Sequence, residues 1–100
     1  MTRIYKYEMV PRQDIIGMHP EIHVEMPRGA EILHVDAQGD RMFVWAAVIP
    51  EQPTARYSFI VVPTGADVTW PLRDIPHIGT VLMRGGSLVW HVFGDRQARP

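Results

Sequence analysis

The stretch His77-Ile-Gly-Thr-Val-Leu-Met-Arg-Gly-Gly-Ser-Leu-Val-Trp-His-Val-Phe93 constrains the fold of this chain more than any other. Two runs rich in β-branched and aromatic residues flank Gly85-Gly86, and both glycines can take the positive φ that a type I′ hairpin turn demands. A turn there pairs Met83 with Leu88, Leu82 with Val89, Val81 with Trp90, Thr80 with His91 and Gly79 with Val92. One face then carries Val81, Met83, Leu88, Trp90 and Val92. The other carries Ile78, Leu82, Val89 and Phe93, with Thr80 and His91 between them. Neither face is polar. Gly79 places no side chain diagonal to Trp90, which leaves room for the indole.

The rest of the chain repeats the theme of short strands between turn residues. Nine prolines and eight glycines are scattered along 100 residues, as punctuation between elements. Ile4 to Met9 alternates, with Tyr5, Tyr7 and Met9 on one face. Residues 10–18 are weakly patterned, and Asp14-Ile15-Ile16-Gly17 suits a helical turn or a loop; His19 before Pro20 favours extended geometry. Glu21 to Met26 alternates cleanly, with Ile22, Val24 and Met26 inward and Glu21, His23 and Glu25 in water. Pro27-Arg28-Gly29-Ala30 is a turn. A hairpin with Gly39-Asp40 at its tip sets His34 opposite Trp45 and Val35 opposite Val44. Both of its strands are apolar on two faces. Arg56 to Val62 is a further strand. The longest irregular stretch, residues 63–76, holds Trp70 and Arg73 and leads into His77. A loop this long in a small domain is either functional or a plug, with Trp70 capping a barrel end.

About seven short strands and no long helical pattern predict an all-β fold, a small, mainly antiparallel barrel or sandwich with little helix. Residues 1–93 form a single domain and 94–100 a polar tail. A chain of this length holds one core. A second apolar face must then be covered by another sheet or another subunit. A homo-oligomer, most simply a two-fold dimer, is therefore expected, with Leu82, Val89 and Phe93 at the interface.

Composition excludes several function classes. The chain has no cysteine, which removes disulfides and thiolate metal sites. The net charge is −1, so no global field draws nucleic acid or an anionic membrane. The nine aromatic residues could stack on bases, but acidic residues interleave with Arg28, Arg41, Arg56, Arg73 and Arg84, and nucleic acid is not an expected partner. No run nears the roughly 18 apolar residues of a spanning helix, and the start of the chain lacks a signal core; a cytoplasmic setting is expected.

Five histidines invite a metal reading, but they show no ligand spacing. His34 and His91 fit semi-buried strand positions bonded to neighbours such as Thr80. Ser58 and Ser87 lack a nucleophile elbow, and Asp36, Asp40, Asp67 and Asp74 suit turns. No catalytic residue, metal ligand or cofactor is expected, and the chain reads as a non-enzyme. If a ligand- or partner-binding surface exists, Trp70, Arg73 and His77 are its candidates.

Three stretches in this order resemble a known family: Ile4-Tyr-Lys-Tyr7; Met26-Pro-Arg-Gly-Ala-Glu-Ile-Leu-His-Val35 with Trp45-Ala46; and His77-Ile-Gly-Thr-Val81 with Gly85-Gly-Ser-Leu-Val-Trp-His-Val-Phe93. Thr64-Gly65 fits the same pattern, and residues 10–25 depart from it. The chain is similar to small uncharacterised proteins of bacteriophages, prophages and actinobacteria, classed as a domain of unknown function. The resemblance implies no activity. It implies an accessory protein made inside an infected bacterial cell, acting by binding a host factor or a small molecule, as an anti-defence protein would. A virion structural or assembly protein and a His-based metal-dependent enzyme are the alternative expectations.

Overall fold

Period-two alternation becomes strand wherever the chain is described, which in this computed structural model is residues 1–10 and 21–95. The strands are β1 (Arg3–Met9), β2 (Glu21–Pro27), β3 (Glu31–Gln38), β4 (Arg41–Val48), β5 (Thr54–Pro63), β6 (His77–Met83) and β7 (Leu88–Gly94). They form two antiparallel sheets, ordered β1-β4-β3 and β2-β5-β7-β6. Both sheets stay open, so the all-β expectation resolves to a sandwich and not a barrel. Among the described residues there is no α-helix, and none that could cross a membrane. The expectations for Asp14-Ile15-Ile16-Gly17 and for His19 lie outside the described residues.

The core lies between the sheets, where alternate residues of each strand meet. Met42, Val44, Ala46 and Val48 of β4 face Ile22, Val24 and Met26 of β2, Tyr57, Phe59 and Val61 of β5, and Val81 and Val92 of the closing hairpin. Phe59 is completely buried. Removing a side chain of that size from water stabilises a fold by about 1.5–3 kcal/mol. The Tyr57 hydroxyl accepts from the Ala30 N–H at 2.8 Å and donates to the Pro27 carbonyl at 3.0 Å, which ties the turn after β2 to β5.

Register matches the pattern-based expectation in both hairpins. His34 lies opposite Trp45 and Val35 opposite Val44. Leu33 is an extra residue between the paired Ile32 and His34, and this bulge lets Ile32 and Val35 both point inward. In the last hairpin Met83 to Gly79 pair with Leu88 to Val92 as expected. Gly85 (φ 65, ψ 22) and Gly86 (φ 92) take positive φ, and the Ser87 N–H donates to the Arg84 carbonyl at 3.2 Å, the bond of a type I′ turn. Arg84 also has positive φ, 51°, so strand pairing stops at Met83–Leu88 and Arg84–Gly86 forms a 3-10 turn.

Two sequence expectations are corrected. Gly79 does not make space for Trp90. A β-carbon there would lie 2.6 Å from Val35 Cγ2, so the missing side chain admits a residue of the opposite sheet. The tail does not begin at Gly94. That residue is buried, pairs with Phe59, and donates its N–H to the Pro76 carbonyl at 3.0 Å.

Candidate functional site

Loop 63–76 folds over the outer face of the larger sheet. The Thr64 N–H donates to the Val89 carbonyl at 3.2 Å, and the Asp74 and Ile75 N–H groups both donate to Pro71, at 2.9 and 3.3 Å. Trp70 donates its indole N–H to the Ile75 carbonyl at 3.2 Å and meets Phe93 edge-on at 5.4 Å. It therefore packs as a cover, but on a sheet face and not at a barrel end. Arg73 is exposed on the same loop.

His77 lies beside this cover, 5.4 Å from Phe93 and 6.1 Å from His91, ring to ring. His91 shares hydrogen bonds with Thr64 Oγ1 at 2.8 Å through Nε2 and with Thr80 Oγ1 at 3.1 Å through Nδ1. Thr80 Oγ1 also meets His77 Nε2 at 3.1 Å. Both ring nitrogens of His91 are thus engaged by hydroxyls, as expected of a strand histidine bonded to Thr80. His34 differs: it is exposed, 5.8 Å from the Trp45 ring, with its Nε2 3.4 Å from Asp36. Among the described residues, no three His, Cys, Asp or Glu side chains cluster as metal ligands.

The residues expected at an oligomer interface do not share one free surface. Phe93 is covered within the chain by Trp70 and His77. Leu82 is 58% exposed, and Val89 is half-buried. The outer face of the smaller sheet carries Phe43 and Trp45, whose rings lie 6.2 Å apart. Lys6 Nζ sits 4.6 Å above the Phe43 ring and the Arg41 guanidinium 5.4 Å from it, so cations and their methylene stems cover this aromatic pair.

A concave feature lies between the two sheets at one end. A cleft of 310 Å³ is walled by Met9, Met42, Val61, Met83, Leu88 and Trp90, and its rim carries Glu8, Asp40, Arg41 and Arg84. Strand ends build it: β1 and β4 supply one wall, β5 and the closing hairpin the other. Val10 also lines this end of the cleft. Arg41 is committed at the rim. Its guanidinium makes a two-pronged pair with Glu8, with Nε donating at 2.8 Å. A family model described as a domain of unknown function (DUF7352) matches residues 1–100.

The chain belongs to that family. No curated protein and no solved structure matches it. In this DUF7352 domain the cleft is the feature that the sequence reading missed. A signal was present: Met9, Met42 and Met83 each stand directly beside a charged residue, Glu8, Arg41 and Arg84, at the end of a strand.

The Glu8–Arg41 pair has a measurable consequence. Hydrogen bonding to Arg41 holds the Glu8 carboxyl below the usual glutamate range, with the Arg41 charge adding to it against desolvation. A lowered folded pKa means that this pair stabilises the fold above the pKa of an unfolded glutamate. The contribution disappears as pH falls through the lowered folded value. Carboxyl NMR of the DUF7352 domain should find a Glu8 midpoint below the usual glutamate range, and Arg41→Gln should return it towards the ordinary value. A Glu8 midpoint unmoved by Arg41→Gln would remove the pair from the rim.

Proposed function

We propose that this protein acts by binding, not by catalysis, and that the inter-sheet cleft is its binding site. The carrying observation is the cleft itself: apolar walls, a charged rim, and a volume of 310 Å³. That volume falls at the lower end of the roughly 300–1,000 Å³ range of small-molecule sites. Three methionines in the walls make the lining adaptable, since an unbranched thioether reshapes itself around different apolar groups. The setting in an infected or lysogenic bacterial cell belongs to the same proposal. It rests on the sequence resemblance to phage and prophage proteins.

Methionine-methyl NMR tests this reading directly. Met9, Met42 and Met83 line the cleft, while Met26 belongs to the core away from it and serves as the internal reference. A small apolar probe such as n-hexanol should shift the first three methyls saturably and leave Met26 in place. Uniform or absent shifts would reject the cleft as a site.

A two-fold dimer is the second reading. Exposed Leu82 on one sheet, and Ile4 and Leu33 at 64% and 44% exposure on or beside the other, favour it. Sedimentation of the purified protein decides it, and a discrete monomer would exclude it.

A further inference from the structure

We infer that the ligand of the cleft is a small amphipathic carboxylate, with its apolar body between the sheets and its carboxylate on Arg84. This rests on the reading of the cleft as the binding site. It adds the chemical class of the ligand and the residue that recognises it.

The rim charges are not equivalent. Arg41 is held by Glu8, and Asp40 lies close enough to add a further stabilising field on its guanidinium. Arg84 stands on the opposite lip, at the end of the closing hairpin, and its guanidinium has no ion-pair or hydrogen-bond partner among the described residues. It is thus the uncommitted cation at the mouth of an apolar cleft. A planar fork of N–H donors matches a carboxylate with two parallel hydrogen bonds, and an adjacent apolar wall favours an acid with a hydrocarbon body over a free inorganic anion.

The backbone at Arg84 points the same way. Its φ of 51° lies in the left-handed region, which glycine or asparagine adopts far more cheaply than an arginine. The two residues that follow are glycines in that same region, so the turn geometry does not itself require a side chain at 84. An arginine held at a strained position beside a cleft, with no partner for its guanidinium among the described residues, is accounted for by a ligand and not by the stability of the turn.

The test uses decanoate and its neutral counterpart decanol, titrated into the full-length protein and read at the Met9, Met42 and Met83 methyls. The wild type should bind decanoate about tenfold or more tightly than decanol, the margin of a hydrogen bond to a charged group. Arg84→Gln should bring decanoate down to the level of decanol and leave decanol unchanged. Arg84→Gly, which relieves the left-handed backbone, should lose the same preference and melt no lower than the wild type. Arg56→Gln, remote from the cleft, should keep the preference. Equal binding of the two probes by the wild type, or a preference that survives either Arg84 substitution, overturns the carboxylate assignment while the cleft remains a binding site. Failure of both probes to move the three methyls overturns the cleft reading itself.

Discussion

A Gly79→Ala protein is expected to lose about 2 kcal/mol of stability, within the usual range for overpacking a core. In a domain of this size that corresponds to a fall in Tm of roughly 8–16 °C. The new β-carbon would stand 2.6 Å from Val35 Cγ2, closer than carbon atoms tolerate. Val35 cannot swing aside cheaply, because a β-branched side chain has few χ1 wells and Val35 is fully enclosed. The strain must therefore pass to the backbone of β3 or β6, the pair of strands that brings the sheets together here. Val35→Ala removes the methyl groups that clash. Alone it should destabilise the fold by leaving a cavity. Combined with Gly79→Ala it should cost no more than it does alone, because the added methyl fills the space vacated. Urea unfolding of the four proteins measures the coupling. Penalties that simply add, or a Gly79→Ala protein as stable as the wild type, would refute the close approach of the sheets at this point.

Gly94→Ala should destabilise by a similar amount, also about 2 kcal/mol. Its β-carbon would lie 2.9 Å from the Ser58 carbonyl oxygen, 3.0 Å from Phe59 Cδ1 and 3.2 Å from Ile78 Cδ1. The first of these is a backbone atom of β5, so relief means opening the β5–β7 ladder at its end. Hydrogen exchange should locate the damage: the amides paired around Phe59 and Gly94 should lose protection before those of β1 and β4. A variant that exchanges and melts like the wild type would show that Gly94 belongs to the tail. The two glycines thus test opposite ends of one idea. Gly79 limits how closely the sheets approach, and Gly94 limits where the domain ends.

Both corrections have one physical origin. Along a strand, alternation shows which residues share a face, and turn residues show which strands are adjacent. The pairing of Met83 with Leu88 and of His34 with Trp45 followed from those two signals alone. What lies across the sandwich is a different question. Gly79 read as space for Trp90, a neighbour in the same hairpin, because the hairpin was all that local pattern could reach. The residue that fills its space, Val35, is 44 positions away in sequence and on the other sheet. Phe93 read as an open interface for the same reason: nothing in β7 shows that Trp70 returns from the preceding loop to cover it. The bulge at Leu33 was equally hidden, since Leu33-His34 is compatible with unbroken alternation until Ile32 and Val35 are both required inside.

The binding candidates divide in the same way. Trp70 and His77 were found because an aromatic in a long loop and a histidine beside it are conspicuous in sequence. The fold sets both over the face of the larger sheet, where Trp70 covers Phe93 and His77 joins the hydroxyl-bonded His91 group. The cleft was not found, because its wall residues are ordinary methionines, a leucine, a valine and a tryptophan, drawn from five strands.

The sequence by itself determined that this chain is all-β, that its strands are short and antiparallel, and how each hairpin is registered next to its turn. Those properties follow from side-chain period and from the few residues that accept positive φ, both of which are local. Only the tertiary structure decided that the sheets stay open as a sandwich, that Trp70 covers Phe93 on one outer face, and that the end of the closing hairpin meets β1 and β4 around a cleft. Those depend on how two twisted sheets stack, and stacking brings together residues whose separation along the chain carries no information about their contact.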